Sequence, residues 1–265
     1  MRRLSIVACQ LALLGLVAFA AGPCTAQGML GGVNLASPAF TSAEMTRADI
    51  ETLIANKQKD ERIDLSDKSL NGLDLSGLDL AAASLRGARL NGANLSRANL
   101  HGANLDQIWA LKANFVEADL SGAHLFGAQL QQANMDRANL SGARIAGDLT
   151  GASLVGANLT GADCAADMKN QSMGLMRAIM SSADLRGANF TGANLSHVDL
   201  QFARLNDSNF SDARLVAAQG AGADFRGANF SGADLTGLDV ASAHISPAAL
   251  GAFAKAINLD RVLRD

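Results

Sequence analysis

The chain has 265 residues, 49% hydrophobic and 18% charged, which is too apolar for a disordered polymer. Aromatics make up 4%, with one Trp and no Tyr against 26 Gly, which excludes an ordinary aromatic-rich globular core and leaves packing to small residues. The formal charge of −3 excludes a broadly basic nucleic-acid binder and gives no strong acidic field.

Residues 1–26 read as an export signal. Met1-Arg2-Arg3 supplies a positive start, Leu4 to Gly22 is almost wholly apolar, and Ala26 stands before a cut ahead of Gln27. The apolar run barely reaches spanning length and Gly22-Pro23 closes it, so no membrane span is expected after cleavage. Lipidation at Cys24 would need a small residue before it, and Pro23 occupies that place. The expected location is periplasmic or secreted. Cleavage takes two Arg from the 22 basic residues, leaving 20 against 25 acidic, a formal −5. It also removes Cys9 and Cys24, so Cys164 remains alone and forms no internal disulfide.

Residues 27–41 read as a linker and 42–62 as a helical cap. Thr46 and Asp49 fit a capping pattern, and Ile50, Leu53 and Ile54 share one helical face. From residue 63 to 245 the pattern changes. An apolar residue recurs every fifth position, from Leu65, Leu70 and Leu75 through Leu105, and again from Phe115 to Ile145. Ala stands two before most of these centres, Asn or Asp between, and Gly often two after, as in Ala93-Asn94-Leu95 and Leu140-Ser141-Gly142. A period of five matches neither 3.6 nor 2, so a helix or a plain strand would not keep these residues on one side. A corner every five residues does. Ala suits a narrow interior, and Gly suits turns that need positive φ.

These A-(N/D)-L-x-G units resemble the pentapeptide-repeat family. The resemblance implies an all-β fold, a right-handed quadrilateral β-helix with four units per coil, the centre and the Ala two before it pointing inward. Some 35 units make about nine coils, a rod of roughly 40 Å at the sheet spacing. Short capping helices are expected at both ends, because an open coil exposes unpaired strand edges. At the C-terminus, 246–265, Ser246 and Pro247 start a helix whose apolar face is Leu250, Phe253, Ala254 and Ile257. By resemblance, such a helix also allows a homodimer.

A twenty-residue coil places Asn94, Asn114 and Asn134 in one outward column, Asn189, Asn209 and Asn229 in another, and Asp184, Arg204, Asp224 and His244 in a third. No outward Asp has another Asp twenty residues away, which avoids opposed like charges. After Ile145 the centres move one residue early, to Leu149, Leu154, Leu159 and Cys164, and the first phase returns at Met180. Residues 165–179 must absorb one extra residue as a bulge or loop, a natural place for function on a rigid scaffold.

The chemistry-bearing residues converge poorly. Met168, Met173, Met176 and Met180 lie near Cys164, but no His or second Cys joins them, so Cu(I) binding is not expected. His101 and His197 fall in different phases, and His124 and His244 share one about six coils apart, so no zinc site is expected. No motif places a Ser-His-Asp or Cys-His set, and no cofactor is implied. Trp109 precedes the defective centre Ala110 with Arg89 as coil neighbour, and Phe126 also points outward. The two are candidate interaction residues, with Trp109 packing on Arg89 or into the defect as the competing arrangement. The expected function is a non-enzymatic exported scaffold for a protein or envelope partner. The alternative implied by the family is a DNA-mimicking topoisomerase binder, which the signal segment and mild charge oppose.

Overall fold

The computed structural model describes residues 34, 36–58, 61–166 and 176–264. From Asp64 the chain winds as a four-faced coil with parallel pairing between successive turns. Along face I, nine residues pair in succession: Asp64, Ser84, Asn104, His124, Arg144, Asp163, Asn194, Arg214 and Asp234. Faces II, III and IV start at Ser69, Asp74 and Asp79. Most faces contribute one paired residue per coil. The exceptions are β1 (His124–Gln129) and β2 (Arg144–Asp148), which pair as short strands.

Each feature of the repeat has a structural reason. The centres and the Ala residues two before them form one continuous apolar core, nearly all fully buried. The Asn or Asp between them does two things. It stacks on its counterpart in the next coil, as Asn114 Nδ2 donates to Asn94 Oδ1 at 2.9 Å. Its oxygen also accepts the N–H two residues on, as Asn99 Oδ1 does from His101 at 3.1 Å. That Asx turn satisfies a corner donor that neither neighbouring coil reaches. The corner then needs φ > 0 at the second residue after the centre, where Gly142 has φ 63°.

Departures from the motif conserve volume. Ala110 is an inward centre after all, fully buried, because Ile108 two residues earlier supplies the missing bulk. Gly220 occupies a centre because a Cβ there would meet the Phe225 ring at 3.1 Å. Phe190, Phe210 and Phe230 stack along face IV, with centroids 4.9 and 5.1 Å apart and interplanar angles of 3° and 2°. Room for these rings comes from the small Ala188, Ser208 and Ala228 beside them. Buried Ser208 satisfies its hydroxyl on Leu205 O at 2.6 Å. No bridged pair among the described residues opposes Asp to Asp, as expected of the columns.

The two phase breaks correct the reading of 165–179. The first is a one-residue deletion at a corner. Phe126 pairs with Ala146 at a spacing of 20, whereas Gln129 pairs with Asp148 at 19. Gly147 makes the shortened corner fit, since a Cβ there would come within 2.5 Å of Ala128 O. The second is much larger than one residue. Asp148 pairs with Ile179 at a spacing of 31 against the regular 20, an excess of 11. The excursion leaves at Cys164 and returns at Ala178, whose N–H donates to Cys164 O at 3.2 Å. Residues 167–175 lie outside the described residues. A shift of this size also moves His244 to another face: His124 belongs to face I and His244 to face III, so they share no column.

The described segments that flank the coil, 36–58 and 247–264, pack on it. Helix α1 (Pro38–Thr41) shows that the expected linker ends in a structured arm. Ala43 pairs antiparallel with Leu70, and Ser42 O accepts from the side chains of Ser69 and Asn71. Helix α2 (Arg47–Asn56) has the expected Thr46–Asp49 capping box and buries Ile50 in the core, while Leu53 stays exposed. The C-terminal segment corrects the expected α-helix. It is a 3-10 helix over Pro247–Phe253, followed by Ile257 and Leu263, which pair with Asp239 and His244 as further rungs. Pro247 fixes the start, but after Phe253 anchors on Phe225 and Phe230 the chain gains more by pairing with the coil's edge.

Candidate interaction surface

Trp109 is a docking point for the chain's own arm. It is half-buried on face II between the rung neighbours Arg89 and Gln129. Phe40 of α1 meets its ring edge-on, with centroids 5.0 Å apart. Trp109 therefore does not form a joint exposed patch with Phe126. The defect at Ala110 does not draw it inward either, because Ile108 already fills that space.

Phe126 is 36% exposed at the corner between faces I and II. Its backbone is held by Asp106, which accepts the Phe126 N–H at 2.8 Å. The shortened corner Ala146-Gly147 lies one coil further on and is buried, and the eleven-residue excursion leaves from the same corner one coil beyond that. The returning limb is fastened along this side of the coil. The Met176 methyl lies 4.0 Å from where a Cβ on Gly127 would stand. In the other direction, Arg177 reaches Gln219 Oε1 at 3.2 Å and Asp199 at 3.9 Å. This corner joins an exposed aromatic, a methionine, an arginine and the roots of the insertion on one rigid frame.

Phe202 is an exposed aromatic that reading the centres alone misses. It is 64% exposed at the corner between faces II and III. Its φ of +58° puts it where Gly is usual, and a Cβ on Gly222 would lie 2.5 Å from its ring. The signal was present: a bulky residue at the corner position with Gly twenty residues later.

The thiol and the metal candidates do not converge. Cys164 is fully buried as an inward centre, and burial pushes its thiol up to about 12, so it offers no thiolate. Met180 is likewise inward, and Met168 and Met173 lie outside the described residues. Among the described residues, no group of three His, Cys, Asp or Glu is placed to hold a metal ion.

Face III carries the strongest electrostatics. Arg226 donates two hydrogen bonds to Asp224, at 2.9 and 2.6 Å, and these hold its carboxyl well below the usual carboxylate range despite partial burial. A folded value below the unfolded one means the unfolded chain binds more protons, so stability rises with pH. The contribution is fully present above the ordinary value of 3.8 and is lost as pH falls through the lower folded value. Melting temperatures measured from pH 7 to 2 should fall on the acid side, and Asp224→Asn should flatten part of that limb. An unchanged limb would show that this pair does not govern acid stability.

The family model for pentapeptide repeats matches eight copies, at residues 69–108, 113–147, 145–165, 175–212 and 203–239. No curated protein matches the chain. Among solved structures it is similar to HetL, a pentapeptide repeat protein involved in heterocyst differentiation regulation from the cyanobacterium Nostoc sp. strain PCC 7120. The identity is 28% over 73% of this chain and 96% of HetL, with a TM-score of 0.29. A second Nostoc pentapeptide repeat protein, alr5209, is 36% identical over 39% of this chain and 80% of its own, with a TM-score of 0.35. QnrB1, a plasmid-mediated fluoroquinolone resistance protein, is 18% identical over 69% of this chain and 77% of its own, with a TM-score of 0.34.

Proposed function

The chain belongs to the pentapeptide-repeat family, and from that membership we propose a non-enzymatic, exported scaffold that binds a protein or envelope partner at the corner carrying Phe126. Right-handed winding and closure of both ends by helical segments are part of this proposal. The observation that carries it is the excess of eleven residues between Cys164 and Ala178, on a coil whose other irregular corner, at Gly147, is short by one residue. Loops on a rigid frame are where binding residues concentrate. Export rests on the Met1–Ala26 segment, which lies outside the described residues. A DNA-mimicking topoisomerase binder would need a strongly acidic face, whereas the outward columns intersperse Asp with Asn, Ser, Gln and Arg.

The coil offers a clean test. Deleting residues 167–177 joins Ala165-Ala166 to Ala178-Ile179-Met180, which restores a small inward residue, an outward residue and an apolar centre in phase. The deleted protein should stay folded and melt a few degrees below the parent, because the deletion restores the phase of the coil but removes the contacts of Arg177 with Asp199 and Gln219. Both forms, together with Phe126→Ala, are used to co-purify partners from the native envelope. The parent should retain a partner that the deletion and Phe126→Ala lose. Equal retention by all three would overturn the corner as the site, and an unprocessed chain found in the cytosol would overturn export.

A further inference from the structure

Among the described residues, the last coil is closed along only half of its edge. Four backbone donors on faces II and III are taken by the chain's own tail. Gly237 pairs with Lys255 O at 2.9 Å, Val240 with Ile257 O at 3.2 Å, Ser242 with Arg261 O at 3.1 Å, and Ile245 with Leu263 O at 3.0 Å. The corresponding donors on faces IV and I are the N–H groups of Gly227, Phe230, Gly232 and Leu235. None of them has an acceptor among the described residues. One coil earlier, the equivalent donors all pair forward: Asp207 with Arg226 O, Phe210 with Asn229 O, Asp212 with Ser231 O, and Leu215 with Asp234 O, at 2.7 to 3.0 Å. The four free donors are therefore aimed at the place of a next rung. Phe230 and Leu235 are 7% and 2% exposed, so this is the edge of a packed core and not a frayed end. Beside it runs a groove of about 450 Å³, with Phe230 on the coil side and the small Ala248, Ala249 and Ala252 of the 3-10 helix opposite.

We infer that this open half-rung is a strand-addition site for an extended segment of a partner polypeptide. The chemistry required is set by the donors. They need four main-chain carbonyls at offsets 0, 3, 5 and 8, the spacing of Arg226, Asn229, Ser231 and Asp234 in the coil below. Only an extended backbone that turns once supplies that series. The tail shows that this end already accepts such pairing, because it closes the adjoining half by the same bonds. The alanine wall leaves room for one apolar side chain of the incoming strand over Phe230. The site is separate from the Phe126 corner and does not depend on it.

The probe is an acetylated peptide with the sequence of residues 225–236, which carries the required carbonyl spacing. It is added to the full chain alongside a scrambled peptide. At saturation, deuterium exchange at the amides of Phe230 and Leu235 should slow at least tenfold, with no such change for the scrambled peptide. Ala248→Arg, an exposed substitution in the groove wall, should abolish the protection while leaving melting unchanged. Unaltered exchange in the parent, or protection that survives Ala248→Arg, would overturn the site. Protection that grows with protein concentration without peptide, together with a dimer in sedimentation, would also overturn it and assign the edge to a second copy.

Discussion

Leu195→Asp should cost several kcal/mol, because it puts an unpaired carboxylate into a narrow apolar core where Leu195 is fully buried. Its neighbour Asn194 points outward, so Asn194→Asp should cost about 1 kcal/mol or less. That small loss has an identifiable source. Asn194 is bridged to Arg214 on one side and to Asp163 on the other, and its amide now donates to Asp163 Oδ1 at 3.3 Å. A new carboxylate gains the arginine but opposes the aspartate and forfeits that bond. Melting of single Asp substitutions from Ala188 through Ser196 checks the prediction. Large losses should fall at the fully buried Ala188, Phe190, Ala193 and Leu195. Losses with a 3.6-residue rhythm would sink the four-sided coil.

Phe210→Ala should cost about 3–5 kcal/mol, the range for removing a buried aromatic where the surroundings relax poorly. Its ring is the middle of a stack, parallel to Phe190 and Phe230 and tilted against Phe225, so truncation unseats contacts in two neighbouring coils. The backbone on each side is pinned, with Phe210 N–H on Asn229 O at 2.7 Å and Asn209 N–H on Ala188 O at 2.9 Å, so collapse into the hole is restricted. Coils contact only their neighbours, so the damage should concentrate in the C-terminal half. Hydrogen exchange should accelerate around residues 190–230 and leave Leu80 to Leu120 protected. A loss below about 1 kcal/mol, or a uniform acceleration, would show that the stack is not a local cornerstone.

The candidate surface was less legible than the fold. Phe126 was visible as an outward aromatic, but Trp109 could not be assigned to its own arm. Nothing in the linker composition ties Phe40 to a ring 69 residues away. The C-terminal segment reads as an α-helix because Ser246, Pro247 and the apolar spacing all fit one. The free donors of the last coil compete with the helix for backbone pairing, and a local pattern cannot weigh that competition.

The sequence by itself determines the five-residue corner, the inward set and the outward columns, because every coil imposes the same steric test on each fifth side chain. It determines phase only modulo five. A slip of one residue and an insertion of eleven look alike to a periodic pattern, so the size of the excursion and the separation of His124 from His244 were decided by the tertiary structure. The same holds for the substituted centres at Ala110 and Gly220. Their vacancies are filled by Ile108 and by the Phe225 ring, and only the shared interior volume of the folded coil connects a missing side chain to the one that replaces it.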